Sequence, residues 1–396
     1  MPENLSTAQR TTSIVALNTV STLSQIGQFG LGTTLLPIAL EARHASAEFI
    51  GLTSAAFWFG MLAGLLVASQ LTRSLGYRST VILGLFISAI SFLIMSLLNI
   101  DGWLIPAAGV GFGLGLRWIA NETWLYRLAP EHARGRIIGI HETLIALASV
   151  AGPMIIVALG VSKPSAFWVA AAACMIAIPP LFIANKIPAV DHSNSSVDSK
   201  PASQPNFNTK LRQSLIFWFG FGGLIAGLGG WIEGSLLALL PVYVGDIGLS
   251  SKDTAWLLTI FGIGAMLCQY PIGWLSDHKG VLYTAKLCAA AGLVADTIVL
   301  ASGHYLATLA VMAFVVGGMS GGLLTLGMVW ATTHGTGSAI TNRVRQVSII
   351  YTTLSALGPM CAGFIVSHTS STSLFWQQLV VILVLISTLL IQPRDK

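Results

Sequence analysis

Residues 80–99 read TVILGLFISAISFLIMSLLN, twenty positions without a charged side chain. At about 1.5 Å of rise per residue, a helix of that length is about 30 Å long, the thickness of a bilayer's hydrocarbon core. Taken alone, the stretch could be a buried helix of a soluble protein. The rest of the chain removes that option. Of 396 residues 54% are hydrophobic and 9% charged, where a soluble domain carries roughly a quarter charged residues. Too little polar surface exists to solvate a globule of this size, and lipid is the alternative solvent.

Reading outward from 80–99, apolar runs bounded by Gly, Pro and charge predict twelve spans: 13–40, 47–69, 80–99, 103–126, 137–160 and 164–184, then 213–243, 253–274, 283–303, 305–331, 345–367 and 373–391. They are numbered 1 to 12 below. The expected fold is all-α, an integral membrane protein of two pseudo-symmetric six-helix bundles. The basic residues test the count, because Lys and Arg collect on the cytoplasmic side. With the N-terminus inside, sixteen fall in cytoplasmic segments, three (Arg43, Lys163, Lys252) on the opposite side, and Arg117 inside a span. This bias predicts a multi-pass inner (plasma) membrane protein with both termini cytoplasmic. Met1–Arg10 lacks the pattern of a signal peptide.

The net charge of +5 does not point to nucleic acid, since basic residues stand singly or in pairs at span ends. Cys174, Cys268, Cys288 and Cys361 all lie in apolar runs without ligand spacing, so neither disulfide nor metal site is expected. No phosphate-loop motif occurs, no cofactor is implied, and the eight histidines form no catalytic set, His141-Glu142 being the nearest approach.

The chain divides into a bundle over 1–185, a Ser/Pro/Asn-rich linker over 186–212 containing DHSNSSVDSKPASQPNFN, and a bundle over 213–396. The halves repeat. Leu35-Leu36-Pro37 recurs as Leu239-Leu240-Pro241, and at the same offset of 204 Phe57, Gly60 and Gly76 match Phe261, Gly264 and Gly280. With small gaps, Arg134-Gly-Arg136 corresponds to Arg343-Val-Arg345, and Gly152-Pro153 to Gly358-Pro359. Parallel repeats of this kind are a transporter architecture, with the solute site between the halves.

Between spans 8 and 9 stands Gly273-Trp-Leu-Ser-Asp277-His278-Lys279-Gly280. This arrangement resembles the signature loop of the major facilitator superfamily, whose Asp caps a helix end and pairs with a cation across the cytoplasmic gate. Asp277 takes that place, with His278 where Arg or Lys is usual. In the matching loop of the first half Gly76 and Arg78 remain, and Arg73 stands at the Asp position. The Gly-rich span 4 (Gly109, Gly111, Gly113) with Glu122 near its end, and the Leu-Pro exit from span 7, are similar to the YcaD-like branch. The resemblance implies a solute transporter whose central cavity is lined by spans 1, 4 and 7.

Polar residues within spans are the informative ones, because a charge at a helix centre costs about 2.5–3.5 kcal/mol on insertion scales. Arg117 is expected to meet a substrate anion or carboxylate, or to form a structural pair with an acid; Asn121 lies one turn on. Glu233 in span 7 reads as a proton-loading carboxylate or a structural hydrogen-bonded acid. Glu122 is a coupling candidate or an interfacial contact. Asp296, a third coupling candidate, is expected to be a satisfied structural acid. Asn18, Ser21, Gln25 and Gln28 follow at helical spacing on one face of span 1. They line an aqueous cavity or hydrogen-bond to other helices. Trp118, Trp231 and Trp330 would give the cavity aromatic walls.

These features predict a secondary transporter, monomeric, moving a small organic solute by alternating access with proton coupling. Export is favoured on the aromatic walls. Uptake or uniport is the alternative, and a channel or a polytopic membrane enzyme lies further off.

Overall fold

A computed structural model describes residues 6–130, 133–160, 164–185, 220–302, 305–333 and 338–391. The predicted linker 186–212 and the first predicted residues of span 7 lie outside them. Across the described residues the chain is almost wholly helical, with no strand.

Spans 2 to 5 are Ala47–Leu75, Tyr77–Leu97, Leu104–Leu128 and Arg134–Leu159, and span 6 is Ser165–Ile176 continued by a tight turn at Pro179–Phe182. Spans 7 to 12 are Phe221–Asp246, Ser251–Lys279, Val281–Ser302, Leu306–Thr333, Ser338–His368 and Ser373–Ile391. Ten described helices are long and apolar enough to cross a membrane by themselves. Spans 1 and 4, which carry most of the intramembrane polar residues, are not among them. Large apolar side chains such as Leu97, Ile105, Phe182, Tyr270 and Ile391 point outward, as a lipid-facing surface requires.

Span 1 departs from the single helix expected over 13–40. It runs Thr7–Gln25, widens to a π-helical turn at Ile26–Leu31, breaks at Gly32–Thr34, and resumes as Leu35–Glu41. The break loosens the backbone ladder, and neighbouring hydroxyls take up its carbonyls: Thr33 Oγ1 donates to Phe29 O at 2.7 Å and Thr34 Oγ1 to Gly30 O at 2.5 Å. Pro37 falls in the first turn of the resumed helix, where a missing N–H does no harm.

The internal repeat is physical. Spans 2 and 8 are each 29 residues long and begin after a serine cap: Ser46 Oγ accepts from Phe49 N and Ser250 Oγ from Asp253 N. Both end at a glycine of positive φ, Gly76 at +82° and Gly280 at +85°, a conformation that favours glycine. These one-residue turns reverse the chain into spans 3 and 9. A Cβ on Gly60 would strike Ala108 O and one on Gly264 would strike Phe314 O. Gly111 presses on Phe57 O as Gly317 presses on Phe261 O. Close glycine contact thus packs span 2 on span 4 and span 8 on span 10 in the same way.

The two bundles meet along spans 2 and 11, with spans 5 and 8 beside them. Glu48 N donates to Ser367 Oγ at 2.7 Å, Gly51 lies against Pro359 O and Gly363, and a Cβ on Gly262 would come within 3.1 Å of Val150. Glu48 opens span 2 and Ser367 closes span 11, so the seam is shut on the face opposite the start of span 1. A void of about 10 Å³, room for one water, remains there between Gly32, Thr33, Ser54, Trp58 and Gly234.

Candidate functional site

The polar residues of span 1 turn into their own bundle. Asn18, Ser21, Gln25 and Gln28 are all buried. Gln28 Nε2 donates to Ser88 Oγ at 2.7 Å and Gln25 Nε2 to Ser149 Oγ at 3.4 Å. Asn121 Nδ2 donates to Ser21 Oγ at 2.7 Å and to Leu17 O at 3.2 Å. In this conformation the stripe makes helix–helix hydrogen bonds rather than lining open water. That was the second of its two readings.

Arg117 is fully buried. Its Nε donates to Gln28 Oε1 at 3.0 Å and its Nη2 to Gln25 Oε1 at 2.7 Å, while Nη1 has no hydrogen-bond partner among the described residues. Among the described residues no acid lies within ion-pair distance of it. Two amide oxygens hold the guanidinium and fix span 1 against span 4. Amide dipoles can do this because the fork of Arg matches two acceptors one helical turn apart.

Span 4 continues to Glu122, half-buried beside Tyr126, and span 5 brings His141 and Glu142 opposite. His141 Nδ1 lies 2.7 Å from Asn18 Oδ1, and His141 Nε2 is 4.0 Å from Glu122 Oε1. Tyr126 donates to Glu142 Oε1 at 3.2 Å.

In the second half, Glu233 of span 7 accepts from Tyr351 of span 11 at 2.7 Å. The Tyr351 ring meets Trp58 of the first half edge-on, with centroids 6.2 Å apart, and Trp58 in turn packs against Phe29 and Phe57. The acid therefore stands at the seam between the bundles. Reasoning from sequence singled out Glu233 but not Tyr351 or Trp58, which look like ordinary aromatic residues of apolar spans; their one signal is that a buried hydroxyl or carboxylate needs a partner.

The three tryptophans do not share one set of contacts. Trp118 packs into the first bundle near Glu122. Trp231 is partly buried, with an indole N–H that has no hydrogen-bond partner among the described residues. Trp330 stacks edge-on against Phe221 and lies under the Arg343 guanidinium at 5.7 Å. Asp296 is fully buried in span 9, and neither carboxylate oxygen has a partner among the described residues. The expectation of a satisfied acid is corrected. A Cβ on Gly292 would approach Ile382, and these helices run antiparallel, so one turn further on Asp296 comes level with Gln378, whose amide is likewise buried and unpartnered.

At the gate loops, Asp277 and Arg73 are exposed, and no ion pair to either occurs among the described residues. Arg78 instead binds its own bundle, Nη2 donating to Ala184 O at 2.7 Å with its guanidinium 5.5 Å from the Phe182 ring. Gly273 has open space around it. The side chain of Arg134 lies outside the described residues.

Two six-helix bundles related by a repeat, meeting at a seam that carries an acid, define a membrane transporter of the secondary class. The chain belongs to the Major Facilitator Superfamily, whose sequence profile matches residues 17–353 and 219–396. It is similar to the uncharacterised MFS-type transporter YcaD of Escherichia coli (strain K12 / DH10B), 24% identical over 346 residues and covering 86% of each chain. In fold it resembles the nucleoside transporter NupG, at a TM-score of 0.77 and 11% identity, with 97% of this chain and 99% of that one covered. It also resembles a D-xylose–proton symporter, at a TM-score of 0.65 and 16% identity, with 94% and 97% covered.

Proposed function

We propose that this protein is a secondary active transporter that moves a small organic solute across the inner (plasma) membrane by alternating access, as a monomer, with proton binding at Glu233 as the coupling step. The observation that carries this reading is the chain of contacts from Glu233 through Tyr351 to Trp58 across the seam. An ionised Glu233 accepts the Tyr351 hydroxyl proton; a neutral carboxyl has a proton of its own to donate. Loading a proton changes what Tyr351 can bond to, and Tyr351 is packed on the other bundle. Proton occupancy is thereby linked to the parting of the halves. One charge moved across 100 mV supplies about 2.3 kcal/mol, enough to bias such a rocking equilibrium.

The sixteen-to-three distribution of basic residues supports both termini being cytoplasmic. The shut face is then the outer one. The aromatic seam suits solutes with an apolar face, a property of exported amphipathic compounds.

The test is flux in liposomes. Purified protein is reconstituted with a pH-reporting dye inside, and nucleosides, pentoses and amphipathic amines are offered under a pH gradient of either sign. Wild type is expected to give solute-evoked proton movement and gradient-driven accumulation. Glu233→Gln is expected to lose accumulation and keep solute exchange. Undiminished accumulation in that variant would falsify the coupling role.

A further inference from the structure

We infer that Glu122, His141 and Glu142 form a binding site for a divalent transition-metal ion of the Zn²⁺, Mn²⁺ or Co²⁺ kind, where spans 4 and 5 meet. One ligand atom from each of the three lies within 4.8 Å of the other two. His141 is fully buried, and Asn18 decides which of its nitrogens faces the site. Asn18 Oδ1 can only accept, so His141 Nδ1, 2.7 Å away, carries the proton and donates it. The Nε2 lone pair is left aimed at the two carboxylates, and that nitrogen has no hydrogen-bond partner among the described residues.

Nε2 and Glu122 Oε1 are 4.0 Å apart, too far for a hydrogen bond and with no proton to share in this tautomer. An ion holding an imidazole nitrogen and a carboxylate oxygen, each at about 2.0–2.2 Å, keeps them roughly 3.5 Å apart. A small inward turn of Glu122 closes the difference. Tyr126 occupies Glu142 Oε1 at 3.2 Å, which orients that carboxylate and leaves its second oxygen for an ion. Asn18 on the imidazole and Tyr126 on the carboxylate are the outer contacts that metal ligands need to hold their geometry.

The donor set selects the ion. Two carboxylates balance a divalent charge, and an imidazole nitrogen favours transition metals over Mg²⁺ or Ca²⁺, which take oxygen. The cation turned toward this corner is Arg117; Gln28 and Gln25 hold its Nε and Nη2 on the span 1 side, and its charge limits how tightly an ion binds. Glu142 is exposed and Glu122 partly so, which gives an ion a way in. Once bound, the ion would pin span 4 to span 5 inside the first bundle. This site is separate from Glu233 and does not depend on proton coupling there.

The test uses the full-length protein in detergent, stripped of metal and without a polyhistidine tag, titrated with Co²⁺. Wild type is expected to develop saturable visible absorption from about one ion per chain, which Zn²⁺ displaces. Glu142→Gln, at an exposed position that leaves the fold intact, is expected to weaken Co²⁺ binding at least about tenfold. His141→Gln is expected to abolish it, with a thermal melt confirming that the variant is folded. No saturable Co²⁺ absorption in wild type would overturn the proposal, and so would affinity unchanged by Glu142→Gln.

Discussion

Tyr351 donates its hydroxyl proton to Glu233 Oε2 at 2.7 Å, joining span 11 to span 7 at the height where Trp58 of the other bundle touches the tyrosine ring. A hydrogen bond to a charged acceptor contributes about 1.5–3 kcal/mol. Tyr351→Phe keeps the ring against Trp58 and removes only that donor. Proton-driven transport is expected to slow by about tenfold, the equivalent of about 1.4 kcal/mol in the barrier. Its pH profile is expected to shift, since Glu233 then lacks its partner. Initial rates in liposomes across a pH series measure both. An unaltered profile would show that Glu233 and the seam do not communicate.

Arg117 depends on a fork that reaches Gln25 and Gln28 together. Lysine offers one ammonium and cannot hold both amide oxygens in plane. Arg117→Lys is therefore expected to lower stability by about 1.5–3 kcal/mol, read as a drop in melting temperature in detergent. Gln25→Glu places a carboxylate where an amide oxygen now accepts, and is expected to raise the melting temperature. A lower melting point for Gln25→Glu would mean that the corner cannot accept a second charge.

Gly60 and Gly264 occupy equivalent places in the two halves, each with a neighbouring carbonyl where a Cβ would go. Gly60→Ala and Gly264→Ala should each destabilise by about 1–3 kcal/mol or more, because backbone must move apart. The control Gly273→Ala, inside span 8 but with nothing within 4 Å of its Cβ, should cost nothing and gain at most about 1 kcal/mol, as Ala replaces Gly in a helix. Thermal melts of the three variants decide it. A large cost at one glycine and none at the other would mean the repeat is not matched in packing.

Asp296 carries two buried oxygens without partners among the described residues, level with the unpartnered Gln378 amide. Asn at 296 keeps the shape of that side chain without an ionisable carboxyl, which removes the cost of burying an acid that has no partner. Asp296→Asn is expected to gain about 1 kcal/mol of stability and to leave solute flux unchanged, checked by melting and by transport. Loss of proton-driven accumulation instead would move the coupling step to span 9.

The order of spans and the recurrence of Gly60 as Gly264 and of Gly76 as Gly280 were legible in the sequence; that spans 2 and 8 run past 69 and 274 to single-residue turns at Gly76 and Gly280, and that Gly60 and Gly264 press on carbonyls of spans 4 and 10, was not. Span 1 is the local failure. Its Gly27, Gly30 and Gly32 were visible, but whether glycines bend a helix or bring it close to a neighbour depends on what lies opposite. Here Gly30 lies against Gly152. At the site, the polar residues were legible one by one while their partners were not. Asn18 gave no sign of His141, nor Glu233 of Tyr351.

The sequence by itself determined that this chain lives in lipid, crosses it twelve times as a duplicated unit, and carries a few costly polar groups within the bilayer. Those are local properties, since solvation by hydrocarbon acts on each run of about twenty residues separately. Only the tertiary structure decided that Arg117 rests on amides 89 and 92 residues away, that Glu233 bonds a tyrosine 118 residues on, and that His141 stands beside two acids. Electrostatic and hydrogen-bonding partners are chosen by distance in space, and helix packing, not chain order, sets that distance.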